Sequence, residues 1–421
     1  MSNHLDRAID AHTEEAFAFL ERLVAASSMI GHEQAALEVF EEEAKQVGLD
    51  TTRLPFDNAP FDDPRAGVTA PSSRLSDERF QLLATTPGEQ ELTLLLNGHM
   101  DVVPAESPEL WTSPPFSPER RNGRLFGRGA GDMKAGFAVG ILALRALRDV
   151  APGLFATNRL GFLAVIEEEC TGNGTLRSLA EQGVTAAEVV VLEPTQGGLM
   201  VGGVGVLWVD VDVIAFSAHA EASHGVANAI ELGMRIVATL QSWSESLVAS
   251  EPEPSMPGGS RPYNVNLGTV RSGDWTSTAP ATASLGIRIG FPRGWSATQA
   301  EERIRAVISD AVEADRDFPA QPVVTLSGFR AGGYLLDEDS ALVRDLRRAN
   351  SDAHGTTLEA FTLGSTTDAR TYLNDFGIPA VCFGATAFDM HGVDESVDLQ
   401  SIVDAARTLA RFLLMRFEEV E

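Results

Sequence analysis

Four short apolar runs, residues 92–96, 159–166, 188–192 and 378–383, recur among stretches of helical periodicity. This alternation restricts the fold more than any other feature of the chain. A short apolar run bounded by polar residues reads as a strand. Strands that alternate with helices argue for an α/β sheet covered by helices. The first helix carries Ala16, Phe17, Phe19, Leu20 and Leu23 on one face. A second is predicted over 33–47 with a stop near Gly48, and residues 133–147 also have helical spacing. Residues 57–78 are rich in Pro, Asp and Ser and read as a long loop.

The middle of the chain reads differently. Strands are predicted over 206–214, 264–270, 282–289 and 323–326, with helices over 228–248 and 298–312. The order βαββαβ is that of a ferredoxin-like unit. Glycines flank it on both sides: Gly197, Gly198, Gly202 and Gly203 before, Gly328, Gly332 and Gly333 after. We therefore expect a small domain over 204–328 inserted into a larger one built from 1–203 and 329–421. The total of 421 residues agrees, at about 100–200 residues per domain.

Each apolar run is followed by chemistry. After Leu96 comes Asn97-Gly98-His99-Met100-Asp101, and after Ile166 comes Glu167-Glu168-Glu169. Glu193 follows Leu192, and a loop after Phe383 reaches His391. Ligand sites in α/β sheets form beyond the carboxyl ends of strands. Four strand ends thus deliver His or carboxylate groups to one edge. A fifth element, Gly127-Arg128-Gly129-Ala130-Gly131-Asp132, turns tightly into a helix. Any one of these is weak, because loops often hold a His-x-Asp and glutamate runs are usually solvated. Their conjunction is what counts. Two His and several carboxylates suit Zn²⁺, with Co²⁺ or Mn²⁺ as substitutes. Two such ions need an anion between them, which a bridging Asp supplies, and together they polarise a carbonyl and activate water. A nearby free carboxylate then takes the proton.

Composition excludes other classes. The net charge of −28 argues against nucleic-acid binding. No run reaches the roughly 18 apolar residues of a membrane helix. No signal peptide is visible, so a cytoplasmic protein is expected. Cys170 and Cys382 do not read as a disulfide framework. Cys382 lies in an apolar run; Cys170, after the acidic cluster, reads as an inert small residue, with a place near a metal as the alternative.

The motif Gly98-His99-Met100-Asp101-Val102-Val103-Pro104, followed by Gly127-Arg-Gly-Ala-Gly-Asp-Met-Lys-Ala-Gly136, resembles one family. It is that of acetylornithine deacetylase, succinyl-diaminopimelate desuccinylase, aminoacylase and carboxypeptidase G, the di-zinc metallohydrolases. The resemblance covers nearly the whole chain. It implies a mixed-sheet catalytic domain with two zinc ions per subunit and an inserted lid and dimerisation domain. His99 and Glu193 would bind one ion, Glu169 and His391 the other, with Asp132 bridging both. Asp101 would support His99, and the peptide after Asp132 would be cis. Glu168 would be the general base; a one-residue slip would give that role to Glu167. His219, nine residues before Asn228, matches the lid histidine that reaches the partner subunit's site and stabilises the oxyanion. His224 is its rival.

The family's substrate contacts map onto Arg288, Asn228, Ser277 and Arg370. Ser277 stands where relatives with acidic substrates have Asn. Gly203-Val204-Gly205 replaces their basic residues before the first lid strand, and Gly384-Ala385-Thr386 replaces Gly-Pro-Gly. These departures argue against a dicarboxylate substrate. The expected function is hydrolysis of an amide in a small N-acyl amine or N-acyl amino acid, by a homodimer joined through the lid. A dipeptidase or carboxypeptidase of the same fold is the alternative, and a metal-holding scaffold without turnover is the more remote one.

Overall fold

The computed structural model describes residues 2–59, 61–69, 78–88, 91–157, 159–253, 255–257 and 260–418. The four apolar runs lie side by side at the centre of a nine-stranded mixed sheet. Their order is Leu160–Val165, Leu92–His99, Ala186–Val191, Ala380–Cys382, and all four are parallel. Their carboxyl ends therefore open on one edge. Antiparallel strands Phe80–Thr85 and Asp50–Pro55 extend one side. Leu199–Gly203 extends the other, with Tyr334–Leu335 and Ala360–Leu363 beside it.

Successive side chains of a strand face opposite ways, so a central strand needs both faces covered. Leu94, Leu96, Phe162, Ala164 and Val190 pack into one core with helices Ser2–Ala25, Gln34–Val47, Ala135–Val150, Ala341–His354 and Leu399–Glu418. Leu95, Leu163, Val165, Val189 and Val191 enter a second core with Leu179, Tyr334 and Tyr372. Residues 135–144 of the central helix are all buried, as expected for a helix that is apolar all round. Phe137 stacks on Phe162 at 5.2 Å between centroids, and Phe40 meets both edge-on at 4.9 Å.

The inserted segment forms its own sheet and core. Its strands Gly205–Ile214, Val265–Ser272, Thr282–Phe291 and Val323–Ala331, with helices Ala229–Ser250 and Ala297–Ala314, follow the expected βαββαβ order. In space the second and third strands lie to one side of the first and the fourth to the other, all antiparallel. Leu207, Val209, Val211 and Val213 face the helices, while Trp208 and Asp210 face away. The last strand runs past the expected limit at 328 to Ala331, through a bulge between Leu326 and Arg330. Gly328 permits it: its φ is +56°, and a Cβ there would meet the Trp208 ring at 2.3 Å.

Residues 60 and 70–77 of the expected long loop lie outside the described residues. Its described part is tied down. The Val68 N–H donates to the Gly328 carbonyl at 2.7 Å, and Asn173 exchanges bonds with the Gly67 backbone. Sequence reading also passed over a small four-stranded sheet, Ala387–Phe388, Ser396–Asp398, Arg124–Phe126 and Glu119–Arg121. It brings the chain around His391 against the glycine-rich turn.

Gly136 lies where the central helix crosses the strand end that carries Glu193. A Cβ there would meet the Leu192 carbonyl oxygen at 2.2 Å. Helix propensity favours Ala over Gly by about 1 kcal/mol. We expect Gly136→Ala to destabilise the protein nonetheless, by about 1–3 kcal/mol, because backbone must move. Urea unfolding monitored by circular dichroism measures this.

Candidate metal centre

His99 ends its strand with the ring buried. Its Nδ1–H donates to the Asp101 carbonyl at 2.9 Å, which directs Nε2 outward. That Nε2 lies 3.1 Å from Asp132 Oδ1 and 3.8 Å from Glu193 Oε1. Across the centre, His391 Nε2 lies 3.5 Å from Asp132 Oδ2 and 3.1 Å from Glu169 Oε2. The two oxygens of Asp132 thus face two different histidines. His99, Asp132 and Glu169 form one group with ligand atoms within 4.8 Å of one another; His99, Glu168 and Glu193 form a second.

Backbone geometry sets these positions. The Asp132–Met133 peptide is cis, and the backbone at these two residues is non-helical, a kink just before the long helix. Glu167 and His391 have φ of 64° and 62°, a region non-glycine residues rarely occupy and one often found at functional sites. Asp101 points away from His99 Nε2 toward the acidic turn. Its Oδ1 and Oδ2 accept the N–H groups of Glu168 at 3.2 Å and Glu169 at 3.1 Å. Glu167 turns the other way, with Oε1 on Arg79 at 2.7 Å and Oε2 on the Thr171 hydroxyl at 2.8 Å.

The electrostatics follow from burial. Desolvation pushes the Glu168 and Glu193 carboxyls well above the usual range; His99 opposes this, while Glu193 raises Glu168, and Asp132 and Glu169 raise Glu193. Burial opposes charge on His391, yet Asp132 and Glu169 push it up to about 11. Desolvation likewise works against the Asp132 carboxylate, but His391 and His99 pull its pKa well down. Glu169 Oε1 is buried with no hydrogen-bond partner. Imidazole nitrogens, several carboxylates and an orphaned carboxylate oxygen fit divalent cations of the zinc type.

Above the centre lies a cleft of about 960 Å³ between the two sheets. Glu169, Cys170 and His391 line one side, and Trp208, Asp210, Asn266, Arg288 and Leu326 the other. Cys170 and Cys382 are buried free thiols, and burial pushes both upward.

The expected substrate contacts separate here. Arg288 reaches the cleft, donating to the Gly364 carbonyl at 3.0 Å and the Ser365 hydroxyl at 3.1 Å. Arg370 is buried beneath the acidic turn, bonded to the Thr171 carbonyl at 3.3 Å, and fills the space a side chain at Gly172 would need. Asn228 caps the helix Ala229–Ser250 in a capping box with Glu231. Ser277 is exposed, and so is His219, whose Nδ1 accepts the Glu221 N–H. None of these four is among the described residues lining the cleft. His219 lies in the short ribbon Ala218–His219 with Thr278–Ala279, and Ser277 immediately precedes its second strand.

Sequence reading missed Glu395 and Arg128. The Glu395 carboxylate accepts the N–H groups of Gly129, Gly131 and Asp132 at 2.9–3.0 Å, and Arg128 at 2.6 Å. It holds the glycine-rich turn in place from 264 residues away, measured at Gly131. No local pattern announces such a contact. Asp368, two residues before Arg370, is also buried, and burial raises its carboxyl.

A family model described as Peptidase family M20/M25/M40 matches residues 95–415. The chain belongs to this family. It is a metallohydrolase that acts on amide bonds. It is 29% identical over 404 residues to a succinyl-diaminopimelate desuccinylase of Caulobacter sp. (strain K31), covering 93% of each chain. It is 26% identical over 356 residues to the N-formyl-4-amino-5-aminomethyl-2-methylpyrimidine deformylase of Halalkalibacterium halodurans, covering 79% of this chain and 81% of that one. Among solved structures, the fold is shared with the di-peptidase Dug1p of Saccharomyces cerevisiae. The TM-score is 0.80 at 14% identity, covering 100% of this chain and 99% of the other.

Removing the Glu395 carboxylate leaves Arg128 and three buried N–H groups without their partner. We expect Glu395→Ala to cost about 3–5 kcal/mol and to weaken metal retention. Thermal melting with and without added zinc reads both effects.

Proposed function

We propose that this chain is a zinc-dependent deacylase of small N-acyl amines or N-acyl amino acids. The observation that carries the reading is Asp132, whose two oxygens lie 3.1 Å from His99 and 3.5 Å from His391. His99, Glu193 and Asp132 would hold one ion; His391, Glu169 and Asp132 the other. When bound, such a pair supplies Lewis-acid polarisation of the amide carbonyl and lowers the pKa of water. Glu168 takes the proton of the attacking water and returns it to the leaving nitrogen. Among the described residues no arginine pairs with it, whereas Glu167 is held by Arg79 and Thr171, which supports Glu168 as the base. Asp101 fixes the tautomer of His99 through its carbonyl and the acidic turn through its carboxylate.

The cleft supports a substrate that is not a dicarboxylate. Two lid arginines, Arg271 and Arg288, line it, and two bonds of the Arg288 guanidinium already go to Gly364 and Ser365. We assign the subunit a homodimeric state through the lid. The exposure of Phe216, Ile230, Met234 and Trp275, all in the inserted unit, supports this. In such a dimer the exposed His219, whose Nδ1 accepts the Glu221 N–H, would act on the oxyanion of the partner's site through Nε2.

Glu168→Gln keeps the hydrogen-bonding shape and removes the base. We expect it to retain metal and lose about 10²–10⁴-fold in kcat, measured on a panel of acyl amino acids, acyl amines and dipeptides. Full turnover in that variant would remove Glu168 from the mechanism. A preference for dipeptides over every acyl substrate would replace the deacylase reading with the peptidase one.

A further inference from the structure

Behind the acidic turn lies a buried ion triad that the reaction does not use. The Arg79 side chain is 1% exposed. Its Nη2 bonds Glu33 Oε1 at 2.7 Å and its Nε bonds Glu33 Oε2 at 3.3 Å. Its Nη1 bonds Glu167 Oε1 at 2.7 Å and Asn58 Oδ1 at 3.2 Å, and the guanidinium sits 4.8 Å from the Phe56 ring centroid. One planar cation thus grips two carboxylates from two separate loops.

Both loops lead to the metal centre. Glu33 Oε1 also accepts the Gly31 N–H at 2.8 Å, which fixes the turn over residues 28–33. That turn pairs with the His99 loop: Met29 bridges Val102, and the Val102 N–H donates to the Ser28 carbonyl at 3.0 Å. Glu167 immediately precedes Glu168 and Glu169, and its φ of 64° depends on what holds it there. From the front, the Asp101 carboxylate ties the same two loops together. Arg79 ties them from behind.

We propose that Arg79 is a positioning residue for the metal centre, clamping the acidic turn through Glu167 and the His99 loop through Glu33 so that their metal-binding groups stay at a fixed separation. This rests on the two-metal reading above. Lysine cannot replace the guanidinium, because a single ammonium lacks the fork that reaches both carboxylates. Nor can the triad be dismissed as packing alone, since Glu167 belongs to the turn that carries the centre and Glu33 to the turn that pairs with the His99 loop.

The test compares wild-type and Arg79→Lys proteins loaded with Co²⁺, whose visible spectrum reports ligand geometry. We expect an altered spectrum and faster loss of metal to a chelator. We also expect a kcat lower by about ten- to a hundredfold with KM nearly unchanged. The spectrum and metal release are read without substrate, so they test the clamp even if the deacylase reading fails. Arg411→Lys is the matched control: Arg411 is also buried, and binds Asp6 at 2.8 Å between the first and last helices. It should lower the melting temperature and leave the spectrum and kcat alone. If Arg79→Lys does not fold, the charge-free variant Glu33→Gln, Arg79→Met, Glu167→Gln takes its place with the same expectations. A wild-type spectrum and wild-type metal release in the folded variant overturn the proposal. So does an equal change in Arg411→Lys.

Discussion

Carboxylates cannot be crowded into a buried basin without positive charge to hold them. Asp101, Asp132, Glu168, Glu169, Glu193, Asp368 and Glu395 all lie at or around one edge of this sheet, and all but Asp132 are buried. The fold meets part of that demand itself. Backbone N–H groups answer Asp101 and Glu395, Arg128 answers Glu395, and Arg79 answers Glu167. Among the described residues Glu168 and Glu193 receive neither a backbone N–H nor an arginine, only the nearby His99, and burial raises both. The centre keeps its charge in reserve for cations.

Topology makes this possible at low structural cost. Four parallel strands end at the same edge, and each needs only a short extension to present its group. The glycine-rich turn adds Asp132 from the side. The small second sheet brings His391 and Glu395 to that turn, so one proposed ligand and the support of the turn arrive on the same segment. The inserted unit then roofs the centre with the polar face of its sheet, its apolar face being spent on its own helices.

Much of this was legible in the sequence, because the signals were local. Apolar runs ending in His or carboxylate gave the sheet edge, and the βαββαβ order gave the second sheet. Positions defined by long-range contact were not legible. Arg79 lies beside a loop and shows no pattern that would mark it as a partner of Glu167, 88 residues on. Asn228 and Arg370 matched a substrate-contact pattern, yet one caps a helix and the other fills a space left by Gly172. Motif matching reads residue type and spacing, and both of those positions need the folded neighbourhood to be understood.

The central claim is that Asp132 lies between two cations. Metal content per chain tests it most directly, on protein stripped with chelator, reloaded with zinc and dialysed. The account predicts two zinc ions per wild-type chain and no more than one in Asp132→Ala. A single ion in the wild type, or two retained by Asp132→Ala, would contradict it.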